Sequence, residues 1–320
     1  MEWCPSRFAL AALVGSALLW PSTGSAKSSN ADMDGARDAV RFQLVHDYLI
    51  VLPVMINGTG PWNFLLDTGC TSSMISDDLE RQLNAPVVGE SAVALLTEMR
   101  HDRRVQLNDV LVGHSRVAGL VAMVDKVDNV RSMVPGLSGI LGEDFLRQFD
   151  VLIDYEKRWL FFDGPAPEGE RLPFQARSTY KENRTENRLL VKVEFPGTEA
   201  GQVVLQLDTA AWITELFPAS HVSLLHLAYG SQAGTHSTAS GGPGAMPVYE
   251  HAVIKLGGME MRGLNVAQSR EEVVMDAAGL LPAALFHRIY ISHSGGFMVF
   301  NPRVKKGPGR NTVELAAVGK

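Results

Sequence analysis

The chain has 320 residues, 46% hydrophobic and 20% charged, with a formal net charge of −6. That is an ordinary soluble composition, with length enough for about two domains. No basic stripe runs along it, so neither nucleic acid nor an anionic membrane surface is indicated as a partner.

At the N-terminus Arg7 precedes the apolar run "FALAALVGSALLW" (8–20), followed by Pro21 and the small-residue stretch "STGSA". This order reads as a secretory signal peptide over residues 1–26, because an apolar run of about 13 residues is too short to span a bilayer comfortably. The mature chain is expected to be exported, periplasmic or secreted, without stable membrane insertion. Cys4 should leave with the leader, so Cys70 becomes the only cysteine and the hydrophobic core alone must hold the fold. Residues 27–40 form an N-terminal extension. Beyond them the pattern is of short strands, "YLIVLPVMI" and "WNFLLD" and later "RLLVKVEF" and "QVVLQLD", separated by Gly, Asn or Pro turns. Two helical segments interrupt it: "SDDLERQLN" (76–84), with Ser76 and Asp77 as caps, and "GEDFLRQF". The polar, unpatterned "RSTYKENRTENR" (177–188) reads as a linker, and residues 304–320 as a tail.

Asp67 in "NFLLDTGCTSSMIS" ends an apolar run and opens a Thr-Gly turn, and Asp208 in "VVLQLDTAAWITELF" repeats that context 141 residues later. "GILGEDFLRQFDVLIDYEKRWLFF" from Gly139 matches "GLLPAALFHRIYISHSGGFMVF" from Gly279. Between them, "VQLNDVLVGHSRVAGLVAMV" (105–124) matches "YEHAVIKLGGMEMRGLNVAQ" (249–268). Ordered matches with a drifting offset indicate duplication with small insertions. The expected fold is all-β, with two similar lobes over 41–176 and 189–303.

An apolar run ending in Asp-Thr-Gly, followed some 70 residues on by Ile-Leu-Gly and repeated once, resembles the pepsin and retropepsin superfamily of aspartic proteases, in a bacterial-type, two-lobed form with a signal peptide. The resemblance covers about residues 40–302. It implies closed, barrel-like lobes with one active site at their interface, to which Asp67 and Asp208 each contribute a carboxylate. By the same resemblance Thr68 and Thr209 cross-brace the two loops, Gly69 allows close backbone approach, and Ala210 stands where the family has glycine. Gly139, Ile140, Leu141 and Gly142 would support the first loop, and Gly279, Leu280 and Leu281 the second, where Pro282 replaces the last glycine. Flap hairpins are expected near 93–107 and 234–248.

Two carboxylates held together cannot comfortably both ionise, so the pair keeps one proton while the ionised member activates a water. No metal, cofactor or covalent nucleophile is called for. The implied function is aspartic endopeptidase, acting as a monomer on a polypeptide in extended conformation. Cys70 and Ala211 stand where pepsin-like enzymes often have hydroxyls on the outer carboxylate oxygens, which shifts the expected activity toward neutral pH. Two other readings stay open. Ala210 and Pro282 fit a degenerate lobe pair that binds peptides or a partner without cutting them, and a competent first lobe could pair with that of a second molecule. Cys70 is read as a buried small hydrophobe, and His101, His114, His251 and His293 as surface or turn residues. The "NGT" at 57 and the "NRT" at 183 are read as turns.

Overall fold

The structure is a computed structural model that describes residues 2–3, 38–94, 99–178, 185–198, 201–220, 222–224, 228–229, 234–237, 243–269, 277–302, 304–306 and 312–315. It is all-β. In the first lobe six strands close a ring: Met99–Val112, Ser115–Asp125, Met74–Ser76, Leu137–Leu141, Thr59–Leu66 and Leu49–Ile56. The last returns to the first through Met55 opposite Leu111 and Ile56 opposite Val110. The second lobe builds a matching ring from Val248–Leu256, Thr185–Glu194, Gln202–Asp208, Gly279–Pro282, Thr214–Leu216 and Met259–Gln268, closed by the pairing of the last with the first. Closure removes the sheet edges that would otherwise offer unpaired backbone groups.

Local sequence explains the joints. Asn57 and Gly58 both take positive φ, 50° and 76°, in the two-residue turn between Leu49–Ile56 and Thr59–Leu66. The "NGT" is thus a hairpin turn, while the "NRT" includes residues outside those described. The helix Asp77–Leu83 begins at Ser76, whose hydroxyl accepts from Leu79 N at 3.1 Å, and ends at Asn84 in the left-handed region. The second helical segment shortens to one turn, Glu143–Leu146. The polar stretch read as a linker is structured where described: Arg177 pairs with Glu186 and Ser178 with Thr185, so its ends belong to a hairpin of the second lobe.

A third sheet joins the halves. It runs in the order Leu172–Pro173, Phe297–Pro302, Phe286–Ser292, Val151–Asp154, Trp159–Phe162 and Asp38–Arg41, with Ile153 opposite Ile289 at the seam. One apolar core continues through all three sheets and includes Phe42, Leu66 and Phe145 together with Leu207, Phe286 and Ile289. Each such side chain, fully buried, contributes about 1.5–3 kcal/mol.

The expected flaps lie on hairpins. Val87–Ala94 pairs with Met99–Val112 as far as Ala94 opposite Met99, and Gly234–Ser237 pairs with Pro243–Met246. Both tips, 95–98 and 238–242, are outside the described residues, as is nearly all of the expected leader. Of the leader, Glu2–Trp3 runs parallel to the flap strand, opposite Val93 and Ala94.

Candidate active site

Asp67 follows one strand and Asp208 ends another, and the final residues of both strands are buried on both faces, which explains the apolar run before each carboxylate. Leu66 pairs with Leu141 and Leu207 with Leu281, so the supporting segments lie alongside both loops. In the first lobe the support continues past the strands: Asp67 N donates to Leu141 O at 3.0 Å and Glu143 N to Cys70 O at 2.9 Å. Gly142 N donates to Ser73 Oγ at 3.0 Å, and Ser73 Oγ donates to Asp144 Oδ1 at 2.6 Å. In the second lobe Pro282 lies opposite Asp208, and with no N–H of its own it cannot give the bond that Gly142 gives.

The loops meet through their threonines. Thr68 N donates to Thr209 Oγ1 and Thr209 N to Thr68 Oγ1, each at 3.1 Å. The hydroxyls then donate onward across the interface, Thr68 to Leu207 O at 2.9 Å and Thr209 to Leu66 O at 2.7 Å. All four groups are buried, so each bond also spares a buried polar group from being left unmade.

Both carboxylates are fully buried. Their mutual approach is measured by Gly69: a methyl group there would stand 2.8 Å from Asp208 Oδ2 and 2.9 Å from Asp67 Oδ1. Glycine is required for space, since Gly69 does not have positive φ. Ala210, in the second loop, also avoids positive φ, and it is buried in an apolar cluster with Leu49, Val51, Leu65 and Cys70. Its methyl group has a place in first-lobe packing, and the Asp-Thr-Ala loop still meets its partner.

The carboxylates are held unequally. Asp67 Oδ1 accepts from Gly69 N at 2.7 Å. Asp208 Oδ1 accepts from Ala210 N at 2.7 Å and Ala211 N at 3.0 Å. Asp208 Oδ2 is buried with no hydrogen-bond partner among the described residues. Burial, then the charge of Asp67, with Glu215 adding to both, lift the Asp208 carboxyl well above the ordinary range against the pull of the two N–H groups. Tyr48, in the turn before Leu49–Ile56, is pushed upward as well, by burial and by the charge of Asp208.

Some expectations need correction. Cys70 is buried, but its sulphur is disulfide-bonded here; it touches Asp67 Oδ2 at 3.2 Å with no proton to donate. The chain's other cysteine, Cys4, is outside the described residues. His293 lies in a turn, as expected, but its side chain is turned inward, where it bridges Glu143 Oε2 at 3.0 Å through one ring nitrogen and Phe149 O at 2.7 Å through the other. His114 is exposed beside Asp38, His101 is exposed, and His251 is exposed with φ of 62°. Sequence reasoning missed three polar residues, Arg188, Gln206 and Glu215, that are buried beside the second loop. The available signal was the glutamine inside the otherwise apolar "VVLQLD", where the first copy has leucine.

Residues 52–145 match a family model described as Aspartyl protease. That span holds Asp67 and the whole Gly139–Gly142 segment. No curated protein gives a significant match. Solved structures do, among them a retropepsin-like aspartic protease from Rickettsia conorii at 16% identity, covering 39% of this chain and 86% of that one, with a TM-score of 0.27. The match to the Aspartyl protease family thus covers the first lobe, and the all-β, two-ring architecture is the one that the resemblance to retropepsin- and pepsin-like proteases implied.

Proposed function

We propose that this protein is an aspartic endopeptidase that hydrolyses peptide bonds with one water activated between Asp67 and Asp208. The observation that carries the reading is the crowding of both carboxylates around Gly69 in a buried, cross-braced pair of loops. Asp208, with its carboxyl pulled upward, holds the shared proton; Asp67 is the ionised base. Asp67 removes a proton from the water as its oxygen attacks the peptide carbonyl, and Asp208 protonates the carbonyl oxygen. The resulting tetrahedral species collapses as the amine leaves with a proton, and no group of the protein becomes covalently attached. The substrate is an extended polypeptide that passes over the dyad beneath the two flaps. The protein acts after export, as a monomer, because its own second lobe supplies the second carboxylate.

The test is incubation of the purified mature chain with a mixed peptide library beside Asp67→Asn. Cleavage by the wild type and none above background by the variant is expected. Undiminished cleavage by Asp67→Asn would remove Asp67 from the chemistry, and no cleavage by the wild type at any pH would favour a peptide-binding role.

A further inference from the structure

The strand registers of the two rings show which residues are counterparts. Leu65 lies opposite Ile140, and Ile140 opposite Met74. In the second lobe Gln206 lies opposite Leu280, and Leu280 opposite Glu215. Gln206 therefore occupies the place of Leu65, and Glu215 that of Met74. On the neighbouring strand, Val51 opposes Leu65 and Leu190 opposes Gln206. Two residues earlier on the same face stand Leu49 in the first lobe and Arg188 in the second.

The first-lobe layer of Leu49, Leu65, Met74 and Ile140 is wholly apolar and belongs to one buried cluster. The second-lobe layer, equally buried, carries a cation, an amide and a carboxyl. A duplication that begins with equal layers has no packing reason to place three polar groups inside one copy, because each must be matched by partners to be tolerated there. The partners lead to the dyad. Arg188 Nη1 donates to Gln206 Oε1 at 3.4 Å, and Gln206 Nε2 donates to Gly69 O at 3.0 Å. The amide of the second lobe thus holds the carbonyl of the glycine that touches both carboxylates.

We propose that Arg188, Gln206 and Glu215 form a polar layer that positions the first catalytic loop and keeps the shared proton on Asp208. The proposal rests on the endopeptidase reading for its kinetic consequence, but its structural claim stands apart from activity. Gln206 fixes where Gly69 stands, and hence the distance between the carboxylates. Glu215 places a second negative charge near Asp208. The groups that act on Asp208 are Asp67 from the first loop, Glu215 from the strand after its own loop, and the Ala210 and Ala211 N–H groups of that loop, while Asp208 in turn acts on Tyr48 from the turn before Leu49–Ile56. Of these, Asp67 and Glu215 favour the protonated acid and the two N–H groups oppose it, while Arg188 holds the Gln206 amide.

Two substitutions separate these roles. Gln206→Leu restores the residue of the first lobe and removes the bond to Gly69 O; kcat should fall about tenfold with KM changed by no more than about twofold. Glu215→Gln keeps the shape and removes the charge; Asp208 should titrate at a lower pH than in the wild type, read by carbon-13 NMR of labelled aspartate carboxyls with Asp208 identified from Asp208→Asn. Thermal melts on both variants show whether they fold. The titration decides the layer even if the wild type cleaves nothing, a result that would count against the endopeptidase reading alone. An unmoved Asp208 titration in folded Glu215→Gln, or an unchanged kcat in folded Gln206→Leu, would overturn the proposal.

Discussion

Two small residues at equivalent places in the loops have opposite tolerances. Gly69 faces both carboxylates with no room for a methyl group, so Gly69→Ala must move at least one of them. A displacement near an ångström in a reacting group can reduce turnover about a hundredfold, and that loss in kcat is expected for Gly69→Ala in a peptide-cleavage assay. Ala210 already has its methyl group buried in first-lobe packing. Ala210→Gly, which would restore the family pattern, should leave activity within about threefold while lowering stability by about 1 kcal/mol in chemical denaturation, through lost packing and added backbone freedom. The threonines carry a different load. Thr209→Val leaves Thr68 N and Leu66 O without partners in a buried setting, which should cost about 2–4 kcal/mol.

At the scale of the elements, the supporting segments depend on close approach. A methyl at Gly279 would run into Glu215 O, and one at Gly139 into Met74 O and the Phe64 ring. Gly279→Ala should therefore destabilise the fold by more than about 3 kcal/mol, seen as a lowered melting temperature with the strands intact only at lower temperature. Much of this level was legible in the sequence. Alternation marked the strands, Ser76 marked the helix start, and the duplicated Asp-Thr and Gly-hydrophobic-Leu patterns located both loops, because these features are set by neighbours a few residues away. What was not legible depends on distant pairing. The stretch 177–188 looked like a linker because its hairpin is polar, and Arg188 is an arginine whose burial is set by a strand that pairs only in the folded lobe. That the His293 side chain is covered was hidden because its partner, Glu143, is 150 positions away.

In the whole molecule, the sheet that pairs Val151–Asp154 with Phe286–Ser292 ties the halves into one unit, and calorimetry should show a single unfolding transition rather than two. The His293–Glu143 pair spans the same seam. Burial alone would lower the His293 pKa, but the Glu143 charge and hydrogen bond, with Phe149 O and Asp150, raise it above the ordinary histidine value. A group whose folded pKa is raised stabilises fully below its unfolded pKa, about 6.5, and that contribution is lost as pH rises through the folded value. Wild-type stability relative to His293→Gln should therefore shrink as pH rises from about 6 through the raised His293 value, measured as the difference in unfolding free energy. In the proposed chemistry the dyad also sets the pH range of activity. With the Asp208 carboxyl lifted, cleavage should persist above the ordinary carboxylate range and fall only when Asp208 loses its proton. The most direct test of the two-carboxylate account is the cleavage rate of Asp208→Asn on a peptide that the wild type cuts. The account predicts loss to background at every pH, since the Asp-Thr-Ala loop provides half of the chemistry; a rate close to wild type would contradict it.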